Sequence, residues 1–378
     1  MDINKKLVFV VNVDWFFISH RLPIAVKAIS NGYEVHLICK DTGKCKELVE
    51  LGINVHDCPF TRNGSKLFSE INSLLKLKRL IKKINPDIVH AVTIKPVLYT
   101  GLVLHLVKKK PKFVAAISGL GYVFTAENFK AKLTKSLVSI LYRVAFHHKD
   151  KLVIFQNMTD QSILKSVTNF SESESVLIKG SGADLQTYNY TKEPDVDVIK
   201  IVMACRLLKE KGVYEYVEAA KIVREKYKNV DFLLAGSPDD NPNSISQIEL
   251  DAWNRDGIIT TLGHCNNIPK IFSESHIITM PSYYGEGVPK VLIEAAACGR
   301  PIITTDNPGC RDSIIPDVSG ILVPIKDAIS LAKAIILLIE NNDLRVSMGE
   351  QGRQYAEQEF DVKAVVQKHM MIYSQLLL

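Results

Sequence analysis

What this chain has little of narrows it first. Its 378 residues hold seven cysteines, at positions 39, 45, 58, 205, 265, 298 and 310, an odd number with no C-x-x-C pair. That scatter fits neither a disulfide framework nor a structural zinc, and a reducing, cytoplasmic setting is expected. No apolar run reaches ~18 residues, so a membrane-spanning helix is not expected. Leu137–Phe146 comes nearest, and Arg143 interrupts it. No signal peptide is read, because Met1-Asp-Ile-Asn-Lys-Lys runs straight into the β-branched stretch Leu7–Val13. The Gly119-x-Gly121 pair lacks the third glycine of a dinucleotide fingerprint, since position 124 is Phe. A nicotinamide dehydrogenase is therefore disfavoured. No His/Cys/carboxylate cluster has metal-ligand spacing. Asp195-Val-Asp197 spells D-x-D, but it lies in the polar, proline-containing segment 191–197, which reads as a solvated inter-domain hinge. The net charge of +6 is modest and its basic residues are scattered, which calls for no nucleic acid.

What is present is an ordinary globular composition, 47% apolar and 23% charged, in a chain long enough for two domains. In the first half, strands are expected at Leu7–Val13, Tyr33–Cys39, Ile53–His56, Asp87–Val92, Lys112–Ile117 and Lys151–Phe155. Helices are expected between them, near Leu22–Ser30, Cys45–Leu51, Leu67–Ile84, Pro96–Lys108 and Lys130–His147. After the hinge the pattern restarts with strand Ile199–Cys205 and helix Val213–Tyr227. Strands alternating with helices imply an α/β protein of two Rossmann-like, doubly wound parallel-sheet domains facing a cleft. Their expected bounds are 1–184 and 185–360, with a helix over 361–378 packing back on the first. Ligands are expected at the carboxyl ends of the strands.

Two groups of residues carry chemistry. Arg206 and Lys211 follow strand Ile199–Cys205 directly, ahead of a helix, where a diphosphate would gain charge-assisted hydrogen bonds from both. Gly212 is expected to let a ligand approach the backbone. Further on, Glu286 stands in the loop after strand His276–Met280, and Glu294 about two turns into the helix expected at Val288–Cys298. Anionic groups dock on helix N-terminal N–H groups, while carboxylates hold neutral hydroxyls. An anionic leaving group joined to a polyhydroxyl partner describes a nucleotide sugar.

The ordered set Arg206…Lys211-Gly212, Leu234-Ala-Gly236, Leu262-Gly263, Pro281-Ser282, Glu286-Gly287-x-Pro289 and Glu294-Ala295…Gly299-x-Pro301 resembles family-4 retaining glycosyltransferases of the GT-B fold. Ser19-His20-Arg21-Leu22-Pro23 and residues 117–122, Ile-Ser-Gly-Leu-Gly-Tyr, resemble a bacterial subgroup that extends undecaprenyl-diphosphate-linked sugars. The resemblance implies Arg206 and Lys211 on the donor diphosphate, Glu294 on the ribose hydroxyls and Glu286 on the donor sugar. It gives Gly287 and Val288 as backbone N–H donors, a UDP-sugar as donor, and no metal or other cofactor. The implied acceptor is a glycan or lipid-linked oligosaccharide on the first domain, with His20, Ser118 and Gly119 as acceptor-side candidates. The chain departs from the family where relatives carry a Gly-Gly loop, having Asp14-Trp-Phe-Phe17 there, and where relatives carry a histidine, having Ser118-Gly119.

Basic amphipathic helices at Leu67–Ile84 and Lys130–Lys151 suit peripheral contact with the inner face of the plasma membrane. Two rival readings stand beside the transferase: a GT-B-fold UDP-sugar epimerase, which needs no acceptor, and a non-catalytic sugar-nucleotide-binding subunit of a transferase complex.

Overall fold

The computed structural model describes residues 5–60, 67–121, 129–168 and 170–378. The chain forms two compact units, Met1–Ser181 with Lys363–Leu378, and Gly182–Val362.

The first unit is built on a parallel sheet of order β3-β2-β1-β4-β5-β6-β7, comprising β1 (Lys6–Val13), β2 (Glu34–Lys40), β3 (Asn54–Asp57), β4 (Ile88–Val92), β5 (Lys112–Ile117), β6 (Lys151–Phe155) and β7 (Ser175–Leu177). Helices α1 (Asp14–His20), α2 (Leu22–Ser30), α3 (Cys45–Glu50), α4 (Leu67–Ile84), α5 (Ile94–Leu104), α6 (Phe129–Ala145) and α7 (Met158–Thr168) connect the strands. The central strands are covered on both faces, which is why β1 is a continuous apolar run with Leu7 to Val11 wholly buried.

The stretch Asp14–Phe17, which stands where relatives carry a Gly-Gly loop, is helical. The buried Asp14 carboxylate accepts from the amides of Trp15 (2.7 Å), Thr42 (2.7 Å) and Lys44 (3.0 Å), tying the start of α1 to the turn after β2.

The second unit has a parallel sheet of order β10-β9-β8-β11-β12-β13. Its strands are β8 (Ile199–Ala204), β9 (Val230–Ala235), β10 (Thr260–Gly263), β11 (Ile277–Met280), β12 (Ile302–Thr305) and β13 (Gly320–Val323). The helices are α8 (Val213–Lys226), α9 (Gln247–Arg255), α10 (Ile268–Ser273), α11 (Lys290–Ala297), α12 (Ala328–Glu340) and α13 (Asn342–Glu359). The final helix, α14 (Val362–Leu377), packs on the first unit, where the Tyr373 hydroxyl lies 2.6 Å from Nδ1 of His90 on β4.

Segment 191–197 is no hinge. The crossings between units fall at Ser181/Gly182 and Val362/Lys363, and the segment belongs wholly to the second unit. Buried Arg300 donates to Thr191 O (2.9 Å), Thr191 Oγ1 (2.7 Å) and Lys192 O (3.2 Å). Arg345 grips Glu193 through Nε (2.8 Å) and Nη2 (2.6 Å). His276 Nδ1 accepts from the Lys200 amide at 3.0 Å, so its Nε2 carries the proton and donates to Pro194 O at 3.1 Å. Two buried guanidinium groups need acceptors, and an extended polar strand of chain supplies them. Asp195 and Asp197 remain exposed.

Candidate active site

Strands β8 and β11 are neighbours at the point where the strand order of the second sheet reverses. Loops leaving their carboxyl ends meet there, over the crevice position of an open parallel sheet. One loop carries Arg206 and Lys211, the other Pro281 to Pro289.

Lys211 Nζ donates to Glu286 Oε1, joining residues 75 positions apart. Both side chains are largely enclosed, at 17% and 12% exposure. Burial pushes the Lys211 ammonium toward neutrality, but the Glu286 carboxylate outweighs it and raises the pKa above the usual lysine value. Lys211 is therefore a permanent cation. Ser282, fully buried, holds its Oγ 2.9 Å from Glu286 Oε1 and 3.1 Å from Glu210 O, and accepts from the Tyr284 amide at 3.2 Å.

Two residues absent from the sequence reading hold this loop. Asn307 Nδ2 donates to the carbonyls of Ser282 (3.3 Å) and Tyr284 (2.5 Å). Gly309, at φ +82°, lies so close that a Cβ there would meet Gly287 O at 1.7 Å. Any side chain at 309 would push the Glu286 loop off its support.

Gly212 has a different use from the one expected. It takes φ +83° at the start of α8, and a Cβ on it would meet Pro281 O at 2.2 Å. Its missing side chain lets the β8 and β11 loops touch each other, which sets Lys211 against Glu286.

Arg206 reaches out of the crevice. Its Nε and Nη2 both donate to Asp239 Oδ2, at 3.2 and 2.6 Å, in a loop after β9 that sequence reasoning missed. The pair is about two-fifths exposed. Arg206 nevertheless belongs to the same charge cluster. Burial pushes the Cys205 thiol up to about 12, while Lys211 and Arg206 oppose that rise and Glu286 reinforces it. Tyr284 is raised by burial and by Glu286, against Lys211 and Arg206. Arg206, Lys211 and Glu286 thus converge on Cys205 and Tyr284, with the Tyr284 ring centre 5.9 Å from Lys211 Nζ.

Glu294 lies on the buried flank of α11, 8% exposed. Its partners are Lys290, 3.5 Å away, and the Tyr188 hydroxyl. Burial raises its pKa, and both partners oppose the rise. Because α11 begins at Lys290, Glu294 is one turn into the helix rather than two. Val288 precedes the helix, with Pro289 in the capping position, so Val288 is not its N-terminus. The proline fixes the entry and offers no N–H, moving the first helical residues past Val288.

In the first unit, the His20 ring stacks on Phe16, centroids 4.1 Å apart. The neighbouring Arg21 is the residue directed at Ser118, with Nη2 at 3.5 Å from Oγ. Gly119 follows at φ +94°.

Among the described residues, Asp14, Asp41 and Cys45 place possible metal-ligating atoms within 4.8 Å of one another. The Asp14 oxygens are occupied by backbone amides, and burial with Asp41 pushes the Cys45 thiol up to about 12. A protonated thiol beside a saturated carboxylate is a turn anchor, a poor fit to a cation.

Comparison with known proteins places the chain among glycosyltransferases. The family model described as "Glycosyl transferases group 1" matches residues 190–355, and "Glycosyl transferase 4-like" matches residues 6–157. The chain is 27% identical to the N,N'-diacetylbacillosaminyl-diphospho-undecaprenol alpha-1,3-N-acetylgalactosaminyltransferase of Campylobacter jejuni subsp. jejuni serotype O:2, covering 96% of this chain and 98% of that protein. It is 23% identical to the UDP-Gal:alpha-D-GlcNAc-diphosphoundecaprenol alpha-1,3-galactosyltransferase of Escherichia coli, covering 91% and 90%. Among solved structures, sucrose-phosphate synthase from Thermosynechococcus elongatus shares the fold, with a TM-score of 0.81 at 20% identity and 99% coverage of both chains.

Proposed function

We propose that this chain, a glycosyltransferase of the GT-B fold, is of the family-4 type and moves a hexose or N-acetylhexosamine from a UDP-sugar, with retention, onto a glycan linked to undecaprenyl diphosphate. The observation that carries this reading is the Lys211–Glu286 pair with Arg206 beside it, at the switch point of the second sheet. A diphosphate entering there exchanges Glu286 and Asp239 for its own oxygens at Lys211 and Arg206. Glu286 is thereby released to accept from sugar hydroxyls, and Glu294 accepts from the ribose. The Campylobacter jejuni and Escherichia coli transferases named above act on diphospho-undecaprenol-linked sugars, the latter from UDP-Gal, which supports the donor and acceptor classes.

In the proposed mechanism, donor binding belongs to the second unit and acceptor binding to the first. Arg206 and Lys211 stabilise charge growing on the departing diphosphate, a role that preorganised cations perform without a metal. Glu286 orients the sugar while a phosphate oxygen assists front-face attack by the acceptor hydroxyl.

Among the described residues no helix is long and apolar enough to cross a membrane. The exposed faces of α4 (Phe68, Ile71, Leu75) and α6 (Leu137, Ile140, Val144) carry apolar side chains on helices rich in Lys and Arg, which supports peripheral contact with an anionic membrane. The test is to incubate the purified protein with radiolabelled UDP-sugars and bacterial lipid extract. Label entering the organic phase is expected with one donor. Label in a new UDP-sugar without acceptor would instead establish an epimerase.

A further inference from the structure

Arg300, Arg345 and Arg21 are buried to 1%, 4% and 2% exposure. Arg300 spends its guanidinium on acceptors from Thr191, Lys192, Phe272, Ser273 and Gly299, at 2.7 to 3.2 Å. Arg345 has Glu193 on its Nε–Nη2 edge, together with Leu338 O (2.6 Å) and Asn342 Oδ1 (2.6 Å). Even the half-exposed Arg206 has a carboxylate on that same edge.

Arg21 does not. Its Nη1 donates to His20 O at 2.8 Å, its Nη2 makes only the 3.5 Å contact with Ser118 Oγ, and its Nε is buried with no acceptor. The groups that sense its charge are His90, His369 and Tyr373. None is anionic near neutral pH: burial drives His90 well down and His369 to about 3, and raises Tyr373 well above the usual tyrosine range. His90 Nε2 and His369 Nε2 are likewise buried without a partner. Burial, against an opposing rise from Tyr373, lowers Arg21 to about 10, so it still carries its proton at neutral pH.

A guanidinium enclosed in this way is costly unless an anion completes it. Its empty edge is the pair of parallel donors that matches a phosphate bidentately. Nη2 of that edge points at Ser118, half-buried at the carboxyl end of β5, where ligands of an open parallel sheet bind. We infer that Arg21 and Ser118 form a phosphate site in the first unit that takes the diphosphate of the acceptor. This rests on the proposed reading that the acceptor is diphosphate-linked.

The test is calorimetric titration of inorganic pyrophosphate into the full-length protein, with and without saturating UDP. Wild type should keep one pyrophosphate site in the presence of UDP. Arg21→Gln should weaken that site by about ten- to a hundredfold, and Lys211→Ala should leave it intact. If Arg21→Gln does not fold, judged by circular dichroism, Ser118→Ala serves in its place and should weaken the site about two- to tenfold. No pyrophosphate binding beside UDP, or wild-type binding in a folded Arg21→Gln or in Ser118→Ala, overturns the site. A short-chain polyprenyl diphosphate should compete for it where the corresponding alcohol does not. Pyrophosphate binding without such competition overturns the acceptor assignment. Because no sugar transfer is read, a failure of the proposed reaction shows separately, as missing UDP binding or turnover with the Arg21-dependent site unaffected.

Discussion

Two cation sites, one in each unit, are held in opposite ways. In the second, Lys211 and Arg206 each stand against a carboxylate, Glu286 and Asp239. In the first, Arg21 is more deeply enclosed and faces neutral rings, a hydroxyl and the His20 carbonyl, with no carboxylate. A paired cation keeps its charge without destabilising the fold, and an arriving anion must displace the carboxylate. An unpaired buried cation holds its donors open at a standing cost.

Substitutions that treat the units alike should therefore give unlike results. The largest effect is expected in stability. Arg300→Met strands several buried acceptors and should cost about 3–5 kcal/mol. Arg21→Met, which replaces a poorly satisfied charge by an apolar chain, should stay within about 1 kcal/mol of wild type. Urea midpoints of the two variants check this, and equal losses would break the contrast. Next, Lys211→Ala should lower kcat by about 30- to 1,000-fold, or ~2–4 kcal/mol, with the far-UV spectrum retained. Normal turnover in that variant would remove the site assignment. Glu294→Gln keeps the shape but loses the charge, and should raise KM for the nucleotide sugar by ~1.5–3 kcal/mol, read from initial rates. Smallest is Asp239→Asn. That exposed pair contributes about 0–1 kcal/mol to stability, so Tm should barely move while KM for the donor falls as Arg206 loses its competitor.

Much of this fold was legible from the residues. Lys112–Ile117, Lys151–Phe155, Leu22–Ser30 and Leu67–Ile84 have the observed bounds, because each carries an apolar pattern between clear stops. Helix α1 was missed because seven residues are too few to display a 3.6-residue period. Segment 191–197 misled because polarity was equated with solvent, whereas buried arginines use backbone carbonyls that every residue owns.

The site was legible to the same depth. Arg206, Lys211, Glu286 and Glu294 announce themselves by residue type and place in the βα repeat. Their partners do not. Asp239, Tyr188 and Asn307 matter through contacts distant in the chain. Attention fell on His20 instead of Arg21 because burial of Arg21 depends on β4, β5 and α14, which meet only in three dimensions.

Helix α14 has a consequence for biosynthesis. Tyr373 and His369 cover His90 on β4, yet the ribosome makes them after the whole of Gly182–Val362. At about 5–20 residues per second, the nascent first sheet waits on the order of ten seconds or more with that flank bare. A stall just before residue 363 would lengthen that exposure, and a chaperone shielding the flank would offset it.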